Sequence, residues 1–402
     1  MFRLTRFLQE LVAPTPVRPR RDPPGPVVIW NLIRRCNLLC KHCYSISGDV
    51  DFPGELNTTQ VIRVLDDLKA ARVPAIILSG GEPLLRPDIY EIANRAKSLG
   101  FSVSLSSNGA LVDDAHADRI ASTGFDYVGV SLDGIGAVHD RFRGRPGSFD
   151  ASIAGIRRLS TRGVKVGLRF TMTTDNQESF PALLQLMRAE DATKFYLSHL
   201  VYSGRGNKNR ATDAEFAVTR DAMRRLFAVA WADVLAGSDR EYVTGNNDAD
   251  GAFLWMWVKE NFPDKLDHMR GKLAEWGGNA SGVNVANIDN LGQVHPDTFW
   301  WDYPLGNVLE RPFGDIWADT SDPLMAGFKA RPRTISGRCG ECSFFDVCGG
   351  NTRVRAYRLT GDAFAEDPAC YLSDAEIGLA GDRDRLAVTP FRGLSHEPYR
   401  VA

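Results

Sequence analysis

The sequence has no long hydrophobic run: no apolar stretch approaches the roughly 18 residues that a membrane-spanning helix needs. Residues 1–26 carry positive charge, but they contain neither the apolar centre nor the small-residue cleavage site of a secretory signal. We therefore expect no membrane span, no export and a cytoplasmic location.

An excess of one charge sign is missing as well. Lys and Arg number 48 against 50 Asp and Glu, which gives a net charge of −2. A dedicated nucleic-acid binder depends largely on neutralising phosphates with basic residues, so we expect no nucleic-acid partner. The 44% hydrophobic and 24% charged residues are typical of a globular protein, and a chain of 402 residues favours two domains.

Cysteine is absent between Cys43 and Cys339. The seven cysteines instead form two groups, one of three near the N-terminus and one of four near the C-terminus. An odd number in so long a chain does not suit a disulfide scaffold. Clustered cysteines in a chain without an export signal indicate ligands of a metal or an iron–sulfur cluster.

Up to residue 200 the hydrophobic pattern alternates between strands and helices, and many strands are apolar throughout, as in a sheet buried on both faces. The predicted strands span 26–32, 75–79, 102–107, 127–132, 165–172 and 194–200. The predicted helices between them span 58–73, 87–100, 113–124, 148–163 and 177–190. This series predicts an α/β fold with a parallel sheet, as a partial barrel or an open doubly wound sheet. In either architecture, ligands bind at the C-terminal ends of the strands.

The alternation stops near residue 201. A helix is predicted at 214–237, a Trp-rich helical segment ends at Trp276, and a hairpin is predicted at 283–296. We therefore predict an N-terminal arm at 1–26, a core domain at 27–205, and a helical linker region with a cysteine-bearing module at 206–402.

The first cysteine group follows the first strand with the spacing C-x3-C-x2-C, formed by Cys36, Cys40 and Cys43. Three thiolates on one loop can bind three irons of a [4Fe–4S] cluster and leave the fourth iron for an external ligand. A closed cluster ordinarily has four cysteine ligands. On spacing alone, a structural zinc site with His42 as its fourth ligand, or three buried thiols, are equally open interpretations.

This motif, with Tyr44 beside its last cysteine, resembles that of the radical S-adenosylmethionine (SAM) superfamily. The segment 79–83, with the sequence SGGEP, ends the second strand and resembles the GGEP motif of the same superfamily. The resemblance implies a partial (β/α)6 TIM-like barrel in which Cys36, Cys40 and Cys43 hold the catalytic cluster. It also implies that Gly80, Gly81 and Glu82 bind SAM, with Glu82 at the SAM ammonium group.

Further junctions resemble the superfamily more loosely. Ser107 and Asn108 lie at the end of the third strand and Ser131 at the end of the fourth. In related enzymes these positions face the ribose and methionyl groups of SAM. Arg143 and Arg169 could hold the SAM carboxylate through charge-assisted hydrogen bonds. The alternative is that all five are ordinary turn residues and surface arginines.

The second cysteine group comprises Cys339, Cys342, Cys348 and Cys370. Four cysteines suffice for a complete [4Fe–4S] cluster or for a tetrahedral zinc site. The segment resembles the C-terminal auxiliary-cluster modules of radical SAM enzymes, of the SPASM or twitch type, although the full SPASM pattern has more cysteines and two clusters. The resemblance therefore implies one auxiliary cluster, and two [4Fe–4S] clusters in the whole chain.

A closer resemblance, to the NirJ family of haem d1 biosynthesis, runs through nearly the whole chain, including PPGPVVIWNLIRRCN, REYVTGNNDADG and CGGNTRVRAYRLTGD. It implies an anionic tetrapyrrole substrate of the 12,18-didecarboxysirohaem type. Two propionate side chains would be removed on the way to oxo groups, through a 5′-deoxyadenosyl radical formed from SAM. A reducing electron donor such as flavodoxin or ferredoxin is implied as well.

Other functions stay open at this point. A radical SAM decarboxylase of the sirohaem-dependent haem pathway shares the general layout, and a SPASM-type peptide maturase shares the C-terminal module. A non-catalytic iron–sulfur electron carrier would also bind two clusters, but it would need neither the GGEP segment nor an open iron site.

We expect the tetrapyrrole between the mouth of the core domain and the C-terminal module. Arginines suit carboxylates because their planar fork can bind both oxygens. Trp300 and Trp301 could form an aromatic wall, and His199 or His295 could bind the substrate iron. The basic residues expected at this site are Arg205, Lys208, Arg210, Arg353, Arg355 and Arg358. The alternative is that these arginines are solvated surface charges and the tryptophans belong to the core.

Overall fold

Ten strands form a single sheet in the computed structural model, which describes residues 1–381 and 385–391. The strands are β1 Val27–Asn31, β2 Ala75–Ser79, β3 Ser102–Ser107, β4 Tyr127–Ser131, β5 Val166–Met172, β6 Lys194–His199, β7 Glu241–Gly245, β8 Val285–Ile288, β9 Gln293–His295 and β10 Gly306–Asn307. All six predicted strands and the predicted hairpin, β8–β9, are confirmed.

The spatial order of the strands is β10-β9-β8-β1-β2-β3-β4-β5-β6-β7. Every neighbouring pair from β8 to β7 is parallel, whereas β8–β9 and β9–β10 are antiparallel. No pairing joins the two end strands within the described residues, so the sheet does not close into a full barrel. The predicted α/β fold with a parallel, incomplete barrel is confirmed.

Helices connect the parallel strands and form the C-terminal part of the chain. They are α1 Leu4–Val12, α2 Thr58–Ala70, α3 Ile89–Ser98, α4 Asp114–Thr123, α5 Ala137–Arg143, α6 Ser148–Ser160, α7 Phe180–Ala189, α8 Gly204–Lys208, α9 Phe216–Leu235, α10 Ala249–Asn261, α11 Leu266–Trp276, α12 Phe313–Ala318, α13 Pro323–Lys329, α14 Gly337–Gly340, α15 Phe345–Cys348 and α16 Arg353–Thr360. Four short 3₁₀ helices lie at Pro83–Leu85, Gln177–Ser179, Arg210–Thr212 and Pro263–Lys265. Within the described residues, no helix combines the length and the apolar character needed to cross a membrane.

The two faces of the central strands differ in polarity. One face carries fully buried apolar side chains that pack against the helices, such as Trp30, Leu78 and Val130. Because side chains alternate along a strand, the opposite face carries the intervening residues, which include Ser106 and Arg169. The expectation that the sheet is buried by apolar side chains on both faces is therefore wrong for several strands. The polar face lines the interior of the partial barrel.

Two strands beyond residue 201 extend the parallel part of this sheet, although the sequence pattern predicts that the alternation stops there. Strand β7 pairs parallel with β6, and strand β8 pairs parallel with β1, with Val27 opposite Val285. Strand β7 is short and follows the long helix α9, so the sequence pattern misses it, whereas β8 is predicted as part of the hairpin but without its pairing to β1. The division of the chain near residue 205 stays a prediction, and the sheet itself crosses it.

The first helix packs against α9, α11 and β7. Its residues Leu4, Leu8 and Leu11 lie on one face of the helix and are buried. Phe2 exchanges two backbone hydrogen bonds with Thr244, at 2.8 and 2.9 Å, and so covers the free edge of β7. This segment of the predicted arm therefore stabilises the end of the sheet.

Candidate functional site

The first cysteine group lies on the loop that follows β1. Cys36 and Cys40 are buried, Cys43 is half-buried, and the three pack around the buried Leu38. Arg205 braces the loop: its Nε donates to the Cys40 carbonyl at 2.7 Å and its Nη1 to the Ser47 carbonyl at 2.8 Å. The fold thus brings the three thiols of the C-x3-C-x2-C motif together.

Hydrogen-bond donors surround the three sulfur atoms. The Leu38 N–H points at Cys36 Sγ and Arg143 Nη1 at Cys40 Sγ, both at 3.4 Å, and the Ser45 hydroxyl lies 3.4 Å from Cys43 Sγ. Burial raises the pKa values of Cys36 and Cys40. Burial also acts on Cys43, but the charge of Arg205 and the hydrogen bond of Ser45 outweigh it and lower the pKa of that thiol. Such donors stabilise sulfur in its thiolate form, the form that binds metal.

The glycines of the GGEP segment lie directly against the start of this loop. The Gly81 N–H donates to the Ile33 carbonyl at 2.6 Å, and the Glu82 N–H donates to the Arg35 carbonyl at 2.9 Å. A Cβ atom on Gly81 would collide with the Arg35 carbonyl, and one on Gly80, where φ is +150°, would collide with that of Ile33. Glycine is therefore required here because two backbone segments meet, whatever contact these residues make with a ligand.

Glu82 connects the ends of the second and third strands. Its fully buried carboxylate accepts hydrogen bonds from the Ser107 hydroxyl and the Asn108 N–H, both at 2.8 Å, and from the Leu84 N–H at 3.2 Å. Burial raises the pKa of Glu82, and these donors act against that shift. The Asn108 side chain also donates to Asn37 Oδ1 at 2.8 Å, which ties this junction to the cysteine loop.

Arg143 lies between Cys40 and Asp133 and is only 6% exposed. Its Nη2 is 2.5 Å from Asp133 Oδ2, and Asp133 Oδ1 accepts the Thr171 N–H at 2.8 Å. Burial acts to lower the pKa of Arg143, but the negative charges of Asp133 and Cys40 outweigh it and raise the pKa. Asp133 is absent from the predicted site residues, although a carboxylate directly after the fourth strand was the available signal.

Ser131 and Arg169 are direct neighbours on β4 and β5. The Arg169 side chain crosses Gly129 and donates from Nη1 to the Ser106 hydroxyl at 2.5 Å. It is half-buried on the polar face of the sheet. The structure therefore brings most of the predicted residues of the N-terminal site to the C-terminal ends of neighbouring strands, which is where this architecture binds ligands. Arg143 instead ends helix α5, and Arg169 lies in the middle of β5.

The four cysteines of the second group line one small cavity that is partly open to solvent. Helix α10 contributes Ala249 and Ala252 to the wall. The Phe344 N–H points at Cys342 Sγ at 3.3 Å. Burial raises the pKa of each of the four thiols, that of Cys370 to about 12.

Both groups offer the donor sets of iron–sulfur clusters, three thiols with one open position and four thiols around one cavity. No three His, Cys, Asp or Glu side chains of the described residues are arranged to hold a single metal ion. The residues present fit a cluster at each site by their chemistry and their shared location.

The C-terminal module is anchored at the ends of β6 and β7. Arg355 is fully buried, and its Nε and Nη2 donate to the two oxygens of Asp367 at 2.9 and 2.8 Å. Its Nη1 donates to the carbonyls of Leu200 at 3.1 Å and Asn246 at 2.6 Å. A buried, bidentate ion pair thus fixes the second cysteine group relative to the mouth of the barrel.

Comparison with known proteins agrees with this arrangement. The model of the "Radical SAM superfamily" matches residues 30–187. The chain is 55% identical over 400 residues to the "Pre-heme d1 synthase" of Dinoroseobacter shibae, with 99% of each chain covered. The chain belongs to the radical SAM superfamily. It is also 41% identical to the "Fe-coproporphyrin III synthase" of Methanosarcina barkeri, covering 88% of this chain and 89% of that protein.

The fold of this radical SAM enzyme also matches a solved structure. Streptococcus suis SuiB bound to S-adenosylmethionine aligns with a TM-score of 0.67 at 16% identity, covering 87% of this chain and 78% of SuiB. At that identity the likeness concerns the fold alone. It extends well beyond residues 30–187 and therefore includes the C-terminal part of the chain.

The basic residues expected to bind substrate in this radical SAM enzyme are mostly engaged within the protein. Arg353 is fully buried and donates to the carbonyls of Gly350, Ala363 and Ala365. Arg355 is held by Asp367, as described above. The prediction that these two arginines bind substrate carboxylates is wrong, because internal acceptors already occupy both guanidinium groups.

Three further arginines of that set have partners in the protein. Arg205 braces the cysteine loop, the buried Arg210 donates from Nε to the Thr389 carbonyl at 2.6 Å, and Arg358 pairs with Asp302. Lys208 is exposed, and no hydrogen bond or ion pair joins its side chain to another described residue. The six residues therefore do not form one carboxylate-binding surface.

The predicted iron ligands and aromatic wall also have internal contacts. His199 Nε2 lies 3.1 Å from Asp250 Oδ2, and His295 Nδ1 lies 3.0 Å from the Tyr303 carbonyl. Trp300 is fully buried in the core of the C-terminal module. Trp301 stacks on the His295 ring, with the ring centres 6.1 Å apart and the ring planes 9° apart. Both histidines and Trp300 thus fit the structural interpretation.

Proposed function

We propose that this radical SAM enzyme acts in haem d1 biosynthesis on an anionic tetrapyrrole of the 12,18-didecarboxysirohaem type, from which it removes two propionate side chains. The observation that carries the proposal is the 55% identity to a pre-haem d1 synthase across 99% of both chains. The lower identity, 41%, to an Fe-coproporphyrin III synthase makes decarboxylation in a haem pathway the second candidate.

Cys36, Cys40 and Cys43 would hold a [4Fe–4S] cluster with one open iron, and the neighbouring strand ends would hold SAM. When both are bound, they supply the reductive cleavage of SAM to methionine and a 5′-deoxyadenosyl radical that abstracts hydrogen from a propionate. The protein contributes position and exclusion of water. Three buried or half-buried thiols with a donor at each sulfur atom support this assignment.

Residues at neighbouring strands would each bind a different part of SAM. Glu82 would accept from the SAM ammonium group, and its buried carboxylate is already held in position by Ser107 and Asn108. Gly80 and Gly81 bring this carboxylate next to the cysteine loop. Ser131 and Arg169 line the polar face nearby, where Arg169 would bind the SAM carboxylate. Arg143, packed between Asp133 and Cys40, would bind the SAM carboxylate from the side of the cysteine loop.

Cys339, Cys342, Cys348 and Cys370 would hold the auxiliary [4Fe–4S] cluster. Their shared cavity supports one common ligand for all four thiols. The attachment of the module to the carbonyls of Leu200 and Asn246 places it at the strand ends, on the same side as the first site. A substrate bound between the two would contact both parts of the chain.

Anaerobic reconstitution with iron, sulfide, SAM and a strong reductant tests the proposal. Didecarboxysirohaem should lose the mass of its propionate side chains in step with 5′-deoxyadenosine formation, as mass spectrometry would show. The second candidate predicts a different product, Fe-coproporphyrin III. Formation of Fe-coproporphyrin III with both propionate side chains retained would contradict the proposal and support the second candidate.

A further inference from the structure

Leu39 is an exposed apolar residue on the loop of the first cysteine group. Its side chain is 59% exposed, although it directly precedes the buried Cys40. Its backbone N–H donates to the Arg143 carbonyl at 3.0 Å, so the position of Leu39 is fixed. The structure therefore exposes an apolar side chain to solvent directly beside Cys40, one of the three cysteines of the first group.

Four basic residues lie on this loop or on the segments that contact it. Together with Leu39 we call them the loop face, which comprises Leu39, Lys41, Arg141, Arg145 and Lys208. Two hydrogen bonds join these segments. The Lys41 N–H donates to the carbonyl of Phe142, which follows Arg141, and the side chain of Asn209, which follows Lys208, donates to the Lys41 carbonyl. Arg145 donates to the Asn37 carbonyl at 3.2 Å. All four basic side chains are exposed.

Acidic residues neutralise little of this charge. Asp175 forms an ion pair with Lys41 at 2.7 Å. Asp140 uses its carboxylate to accept the N–H groups of Gly147 and Phe149, at 2.7 and 2.8 Å. Within the described residues, no hydrogen bond or ion pair engages the side chain of Arg141 or Lys208. The loop face thus combines the unpaired charges of Arg141 and Lys208 with one apolar contact point.

We propose that the loop face is the docking site of an acidic one-electron carrier protein of the flavodoxin or ferredoxin class. This inference rests on the proposed function, because it needs a redox cluster at Cys36, Cys40 and Cys43. In each docking event the reduced carrier loses one electron and the cluster gains it, with no proton transferred. A positive rim attracts an acidic partner and speeds its association, and a central apolar residue is desolvated in the complex.

The test is charge reversal at the two unpaired positions, in the double variant Arg141→Glu/Lys208→Glu. Reduction of the cluster by an acidic flavodoxin should become slower by roughly tenfold at low salt, with a weaker dependence on salt concentration. The matched control is Arg6→Glu/Lys165→Glu, which changes the charge equally at two exposed residues outside the loop face. An equal loss of rate in both variants, or in neither, would overturn the docking site.

Chemical reduction separates this inference from the proposed function. With dithionite as the reductant, both double variants should form 5′-deoxyadenosine at the rate of the unchanged protein. A protein that fails to cleave SAM with dithionite contradicts the proposed function, whereas a defect confined to flavodoxin supports the docking site. Leu39→Ser should raise the flavodoxin concentration needed for half-maximal rate. A change of oligomeric state in that variant would show that Leu39 contacts another copy of the chain, and it would overturn the assignment.

Discussion

Asp133 Oδ2 lies 2.5 Å from Arg143 Nη2, and the same guanidinium donates from Nη1 to Cys40 Sγ at 3.4 Å. Asp133 is itself fixed, because its other oxygen accepts the Thr171 N–H and its own N–H lies 3.1 Å from His139 Nδ1. The end of the fourth strand thus orients a cation against a thiol on the loop after the first strand.

The first prediction concerns Asp133→Asn. The amide keeps an oxygen for the Thr171 N–H but removes the charge that pairs with buried Arg143. Breaking a buried ion pair costs about 3–5 kcal/mol, so the free energy of unfolding should fall by that order. The EPR spectrum of the reduced N-terminal cluster should also change, because Arg143 lies against Cys40. Asp221→Asn is the control: its ion pair with Arg225 is exposed, and its loss should cost under about 1 kcal/mol.

The second prediction concerns the first cysteine group. Replacing Cys36, Cys40 and Cys43 together by Ala should abolish the formation of 5′-deoxyadenosine, since no thiol remains to hold the catalytic cluster. Chromatography of the anaerobic reaction mixture measures the nucleoside. Persistence of SAM cleavage in this triple variant would contradict the assignment of the catalytic cluster.

The third prediction concerns the second cysteine group. The fully reconstituted protein should contain about eight iron and eight sulfide ions per chain, and the N-terminal triple variant about half of each. The remaining iron should disappear when Cys339, Cys342, Cys348 and Cys370 are changed as well. Stoichiometric zinc in protein purified anaerobically from cells would instead establish a zinc site in this cavity.

The fourth prediction separates two glycines near the cysteine loop. In Gly81→Ala the new methyl group meets the Arg35 carbonyl, so the backbone of one segment must move. Overpacking of this kind costs about 1–3 kcal/mol, and the N-terminal site should lose iron. Gly48→Ala is the matched control, because its methyl group would lie 3.6 Å from Leu39 Cδ2, an ordinary contact. Equal iron contents in the two variants would refute the requirement for close approach.

Much of the barrel could be predicted from the sequence because its strands are local patterns. The strands β2 and β3 have the predicted bounds, and the cysteine and GGEP motifs lie next to each other as the resemblance implies. The place of β8 could not be predicted in this way. Its pairing with β1 depends on residues such as Val27 and Val285, which are far apart in the chain.

The predictions for Arg353 and Arg355 failed for a related reason. A sequence shows that Arg355 is charged, but not that Asp367 meets both of its nitrogen donors in the core. Arg205 likewise gives no local sign that it holds the carbonyl of Cys40. Whether an arginine binds a substrate or stabilises the fold depends on its burial and on acceptors that are distant in the chain. The local sequence pattern shows neither.

The parallel pairing of β8 with β1 also sets a time order for biosynthesis. Strand β1 leads into the cysteine loop, but one of its two partners is made only when residues 285–288 are synthesised. At about 5–20 residues per second, the intervening chain of roughly 250 residues takes on the order of ten seconds to a minute. Until then the nascent chain carries an open strand edge beside its unligated thiols, which is the form most open to aggregation and oxidation.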